Sequence, residues 1–156
     1  MAHYPVNHPL RPFYRVLTFL IGAYVLAFGI LGATRTWGQP AFDRHGTWVL
    51  LLRTNLAFAI LSIVTGAVVL ACALVDGRLL HFPLMVIGWI FVGAGFAAMA
   101  VMQTRANVFA LSMVNALAML VFGLLLIAAG LYSQTGNLAD TVPMHRLREA
   151  GADVSR

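Results

Sequence analysis

Residues 79–104 read LLHFPLMVIGWIFVGAGFAAMAVMQT, a stretch without a single Asp, Glu, Lys or Arg. A bilayer core about 30 Å thick takes roughly 20 apolar residues to cross as a helix. Three further stretches have the same character: 16–34, 54–75 and 106–139. Arg15, Arg35, Arg53, Arg78 and Arg105 stand between them. A soluble domain of 156 residues has no interior large enough for this much apolar surface. The chain therefore reads as all-α, an integral membrane four-helix bundle.

Composition points the same way. The chain is 61% hydrophobic and 10% charged. Its ten basic residues are all arginine, and the formal charge is +5. In a soluble protein that charge would suggest nucleic acid. Here the arginines sit at span ends, where anionic headgroups are, and no run of basic residues exists. Nucleic-acid binding is excluded as a function class, and the lipid bilayer is the expected environment. The single cysteine, Cys72, rules out an internal disulfide and a multi-cysteine metal site.

The first span has basic residues ahead of it, Arg11 and Arg15, as a secretory signal does. Its apolar run is longer than a signal core, and Gly32-Ala33-Thr34 does not fit an Ala-x-Ala cleavage site. It reads as a retained helix. Residues 1–13, with Pro5, Pro9 and Pro12, form a cytoplasmic arm. Residues 14–132 form the transmembrane domain, with helices at about 14–34, 56–75, 82–103 and 108–132. Residues 133–156 form a cytoplasmic tail, with a short helix expected at 142–150. Tight turns are expected at 76–78 and 105–107. The one sizeable loop, 35–53, carries Trp37, Phe42, Trp48 and Val49-Leu50-Leu51-Leu52, and is expected to lie on the membrane interface. Six arginines fall on the side of the termini and four on the other. By the positive-inside rule both termini are cytoplasmic.

The two halves resemble each other. Ile21-Gly22, Tyr24 and Gly29 in the first span match Ile87-Gly88, Trp89 and Gly95 in the third. Arg53-Thr54-Asn55 precedes the second span, and Arg105-Ala106-Asn107 the fourth. The reading is two tandem helical hairpins related by a twofold axis along the membrane normal. Asn55 and Asn107 are expected to cap the helices that follow them. Arg53 and Arg105 oppose the dipole of those helices. They are expected instead at equivalent corners, anchoring to the last carbonyls of the preceding helices or to lipid phosphates. Gly22, Gly29, Gly66, Gly88, Gly93, Gly95 and Gly123 form low-profile stripes that let helix backbones approach closely.

Chemistry at membrane depth normally needs ionisable groups, and the spans hold none near their centres. Their polar residues are Thr18, Ser62, Thr65, Ser112 and Asn115. Thr65, Ser112 and Asn115 are the candidate polar contacts, with interhelical hydrogen bonding as the simplest role. Asp43-Arg44-His45 is the one local acid–base cluster, without a nucleophile motif or a second carboxylate nearby. No catalytic, cofactor or metal residue is expected, and the chain reads as a non-enzyme.

Arg53-Thr54-Asn55, then Ser62 and Gly66, behind a tryptophan-containing loop, resembles a family of small actinobacterial four-span membrane proteins of unknown function. The opening Asn7-His8-Pro9-Leu10-Arg11-Pro12-Phe13-Tyr14-Arg15 is similar to theirs, and the likeness covers about residues 7–133. Many of these proteins have proline where Leu56 stands, and histidines where Phe58 and Ser62 stand. The resemblance implies the fold, a bacterial inner membrane and no established activity.

The leading functional expectation is an accessory or structural subunit that docks to a larger membrane complex, such as a respiratory assembly, or to itself. It rests on the uncharged interior and the small-residue faces. The alternative is a protein that binds or moves a lipid or other hydrophobic ligand, with Thr65, Ser112 and Asn115 lining the site. An enzyme working at Asp43 and His45 is the third and weakest reading.

Overall fold

The computed structural model of the chain describes residues 11–74 and 81–132. The expected turn at 76–78, the tail with its short helix, and most of the arm lie outside the described residues. Within them the order is α1 (Arg11–Thr36), β1 (Thr47–Val49), β2 (Leu52–Thr54), α2 (Leu56–Leu74), α3 (His81–Val101) and α4 (Met113–Tyr132). All four helices are long and apolar enough to cross a membrane. Their outward faces carry large apolar side chains such as Leu20, Val64, Phe96 and Leu124, as a surface meeting hydrocarbon requires.

Helix α1 packs along α2, and α3 along α4, giving two tandem hairpins. The hairpins meet chiefly through α1 and α4, while α2 and α3 barely touch. One core cluster, around Phe28, Phe58, Leu111 and Ala116, fills the half of the bundle at the end of the 37–55 loop, the loop end. A second, around Ile21, Val25, Val69 and Leu126, fills the other half. At that other end Tyr14 stacks on Tyr132 at 4.9 Å. There Arg15 donates to the carbonyls of Ala73 (2.8 Å) and Leu74 (3.0 Å), capping the C-terminus of α2 with a cation.

Glycines set the spacing within each hairpin. A Cβ on Gly66 would lie 2.4 Å from the Leu26 nitrogen, and one on Gly123 would lie 2.8 Å from the Val92 nitrogen. Gly22 lies against Leu70 and Gly88 against Ile127. Gly29 meets the Ala59 carbonyl, and Gly95 the Ala116 carbonyl. These pairs fix the correspondence of the halves: Gly22 with Gly88, Gly29 with Gly95, Gly66 with Gly123, Ala59 with Ala116. The repeat is thus built into the helix contacts. Gly93, by contrast, has open space where its side chain would be.

This register departs from the sequence reading at the start of α4. That helix begins at Met113, not near 108. Ala110 sits at φ +53°, a left-handed conformation that no helix continues through. The residue matching Asn55 is therefore Ser112, not Asn107. Both act as N-caps. Asn55 Oδ1 accepts the Phe58 N–H at 3.0 Å, and Ser112 Oγ accepts the Asn115 N–H at 3.4 Å.

The 37–55 loop also departs from expectation. It does not simply lie on the interface. Its second half folds back into the bundle as an antiparallel β-hairpin, Trp48 opposite Arg53 and Val49 opposite Leu52. β1 rests on α1 and β2 on α4. Val49 and Leu52 join the loop-end core. The Leu50 carbonyl accepts the Tyr24 hydroxyl at 2.6 Å. Tyr24 lies roughly 18 Å along α1 from Thr36, so the hairpin tip reaches well down the side of the bundle.

Candidate functional site

A β-hairpin among membrane helices has a problem at its edges. Backbone groups facing hydrocarbon have no water to bond, and each one left unpaired costs several kcal/mol. In a hairpin with a two-residue turn the closing pair, Val49–Leu52, is the hydrogen-bonded one. The next pair, Trp48–Arg53, points its backbone groups outward. Asn115 receives them. Its Oδ1 accepts the Arg53 N–H at 2.9 Å, and its Nδ2 donates to the Arg53 carbonyl at 2.7 Å. One side-chain amide thus stands in for a neighbouring strand. The Ser112 hydroxyl, 2.7 Å from Oδ1, completes the amide's bonding. On the other edge Arg35 reaches the Trp48 carbonyl at 3.4 Å.

The turn itself is Leu50-Leu51, with φ of +45° and +70°. Both central residues of a type I′ turn need positive φ, which usually selects Asn and Gly. Leucine there costs about 1–2 kcal/mol per residue. A polar turn at this depth would face hydrocarbon instead, and Leu51 is 82% exposed. The Tyr24 bond and the burial of Val49 and Leu52 hold the strained conformation.

Two more amides tie the loops together. Asn55, 1% exposed, donates to the carbonyls of Asp43 (3.1 Å) and Val108 (2.7 Å), joining one hairpin's loop to the other's. Asn107 is buried in the loop before α4. It accepts the Leu111 N–H (2.7 Å) and donates to the carbonyls of Leu111 (2.8 Å) and Met102 (3.0 Å). It does not cap α4; it shapes the loop that delays that helix. Gly46 lets the two loops meet: its φ is +53°, and a Cβ there would fall 2.6 Å from that of Ala110.

The arginine anchors are not equivalent. The Arg53 guanidinium donates to the carbonyls of Arg44 and His45 within its own loop, with Nε 2.8 Å from His45 O. It reaches neither the end of α1 nor a carboxylate. Arg105 is exposed on the loop before α4. The residue matching Arg53 is Ala110, so the repeat does not carry the corner. The Asp43 carboxylate accepts the His45 backbone N–H at 3.1 Å, closing an Asx turn. Among the described residues no three His, Cys, Asp or Glu gather as a metal site.

The second feature is an open lateral cleft of about 360 Å³ between α2 and α3. Leu61, Ser62, Thr65 and Val68 line it from α2, and Ile87, Ile90, Phe91 and Ala94 from α3. Val25, Phe28, Ala118, Met119 and Phe122 form its floor from α1 and α4. Of the three polar contacts expected from sequence, only Thr65 lines it. Ser112 and Asn115 belong to the hairpin seat. Phe58 and Phe28 touch both regions, with ring centroids 5.8 Å apart.

Sequence reasoning missed Tyr24, the hairpin and the cation cap at Arg15. A lone phenol in mid-span was the available signal for the first, since a buried hydroxyl seeks an acceptor.

Comparison of the chain with protein-family models, with curated proteins and with solved structures gave no match.

Proposed function

We propose that this is a non-enzymatic multi-pass membrane protein that binds a hydrophobic ligand in the cleft between α2 and α3. The observation that carries the reading is the cleft itself. Elsewhere adjacent helices close on each other, through glycine contacts in the hairpins and through α1 against α4. Here two helices stay apart over a concave, largely aromatic and aliphatic wall, the usual form of a small-molecule site. Protein purified in mild detergent and freed of bulk lipid should retain about one lipid-like molecule per chain by native mass spectrometry. Ala94→Phe, which fills the cleft from α3, should remove it and leave the helices intact by circular dichroism. Equal retention by both proteins would place the ligand elsewhere.

A specific observation also favours the accessory-subunit reading. Gly93, with Trp89, Phe96 and Ala97 around it, faces outward from α3 and makes no helix contact of its own. Small residues on a spanning helix are where a second helix packs closely. Mass spectrometry after crosslinking in cells would find a stoichiometric partner lost in Gly93→Leu. The bacterial inner membrane, and termini on its cytoplasmic side, complete the proposal. Reporter fusions after His45 and after Arg156 should read periplasmic and cytoplasmic; the reverse pattern would overturn the arginine count.

A further inference from the structure

The repeat relates two seams of the bundle. It carries α1 onto α3 and α4 onto α2, so the α1/α4 seam corresponds to the α3/α2 seam. The first seam holds the β-hairpin. The second is the open cleft. The two residues that receive the hairpin's backbone are Tyr24 and Asn115. Their counterparts in the register of the glycine pairs are Ile90 and Phe58, and Ile90 lines the cleft while Phe58 stands at its loop end. The cleft is thus the same seat with its hydrogen-bonding groups replaced by hydrocarbon.

The remaining polar atoms tell the same story. The lining hydroxyls are those of Ser62 and Thr65. Ser62 donates to the Phe58 carbonyl and Thr65 to the Leu61 carbonyl, each at 2.8 Å. Each proton is used within its own helix. A ligand carbonyl seated here would lose its bonds to water and gain no donor in return.

We infer that the cleft takes the plain hydrocarbon chain of a membrane lipid, entering sideways between α2 and α3, and rejects a polypeptide segment or a carbonyl-bearing ring. The inference rests on the ligand-binding reading above and names its ligand class. It also assigns the two halves of the repeat different tasks: one seam holds the protein's own backbone, the other a lipid tail.

The test uses the full chain with Trp37, Trp48 and Trp89 changed to Phe and a single reporter, Phe91→Trp, on the cleft wall. Lipid-stripped protein is titrated with a phosphatidylcholine brominated along its acyl chain, whose bromines quench tryptophan on contact. Saturable quenching is expected, and it should vanish when Ala94→Phe is added. Hexadecane should then relieve the quenching at concentrations at least tenfold lower than a tail-less benzoquinone of similar volume. Equal or better competition by the benzoquinone would overturn the inference about ligand class and leave the binding site standing. Quenching that never saturates, or that persists unchanged with Ala94→Phe, would overturn the site itself. Circular dichroism of each variant confirms that the helices are intact.

Discussion

Asn115→Leu should be the most damaging single polar substitution in the bundle. It leaves the Arg53 N–H and carbonyl unpaired inside the membrane domain. Each orphaned buried backbone group costs about 1–3 kcal/mol, so the pair costs about 2–6 kcal/mol. The leucine also meets the hairpin where an amide fitted. Ser112→Ala removes one partner of the same amide and a long capping bond, and should cost only about 1 kcal/mol. Unfolding by a denaturing detergent titrated into micelles, followed by circular dichroism, separates the two. If Asn115→Leu unfolds no more readily than Ser112→Ala, the amide does not hold the hairpin. This cost differs in kind from the roughly 1 kcal/mol of an ordinary interhelical hydrogen bond, because what is lost is the only partner of a strand edge.

Gly66→Leu should be the most damaging packing change. A Cβ at Gly66 would lie 2.4 Å from the nitrogen of Leu26 and 2.7 Å from its Cα. Those are backbone atoms, so the whole of α1 would have to move. Overpacking costs about 1–3 kcal/mol where side chains can yield and more where they cannot. Gly22→Leu and Gly88→Leu, placed alike in the two halves, should cost similar amounts. Gly93→Leu should leave stability within about 0.5 kcal/mol of the parent, since nothing lies within reach of its side chain. Thermal unfolding in one detergent ranks all four. A Gly66→Leu protein as stable as Gly93→Leu would mean that the α1–α2 contact is not as close as described.

The four spans were legible because charge is absent from them and present between them, a signal that survives without any partner. The hairpin was not legible. Its turn uses Leu50-Leu51 where the usual signal is Asn-Gly, since the surroundings reward apolar side chains more than they penalise positive φ. The partner that makes its strands viable, Asn115, stands far along the chain. In the sequence that residue can only be read as an expensive amide in need of something. The start of α4 was misplaced for a related reason. Val108-Phe109-Ala110-Leu111 is as apolar as any helix, and nothing in it announces the left-handed turn at Ala110. The glycines held the better alignment. Pairing Gly66 with Gly123 leads back to Ser112 as the cap, whereas the more conspicuous Arg-x-Asn motif leads to Asn107. Of the candidate contacts, Thr65 lines the cleft but bonds only within its own helix, while Asn115, with Ser112 beside it, bonds a loop strand rather than another helix.

The hairpin's dependence on Asn115 also has a meaning in time. The chain enters the bilayer from its N-terminus, so α1, the hairpin and α2 arrive while α4 is still being made. At that stage Arg53 has only water to satisfy its two outward groups, and Asn55 lacks the Val108 carbonyl. Residues 47–54 gain the full set of partners beside Tyr24 only with α4 alongside. Closing the bundle at the loop end therefore depends on that helix, and a chain cut before α4 should leave the strand pair open to protease.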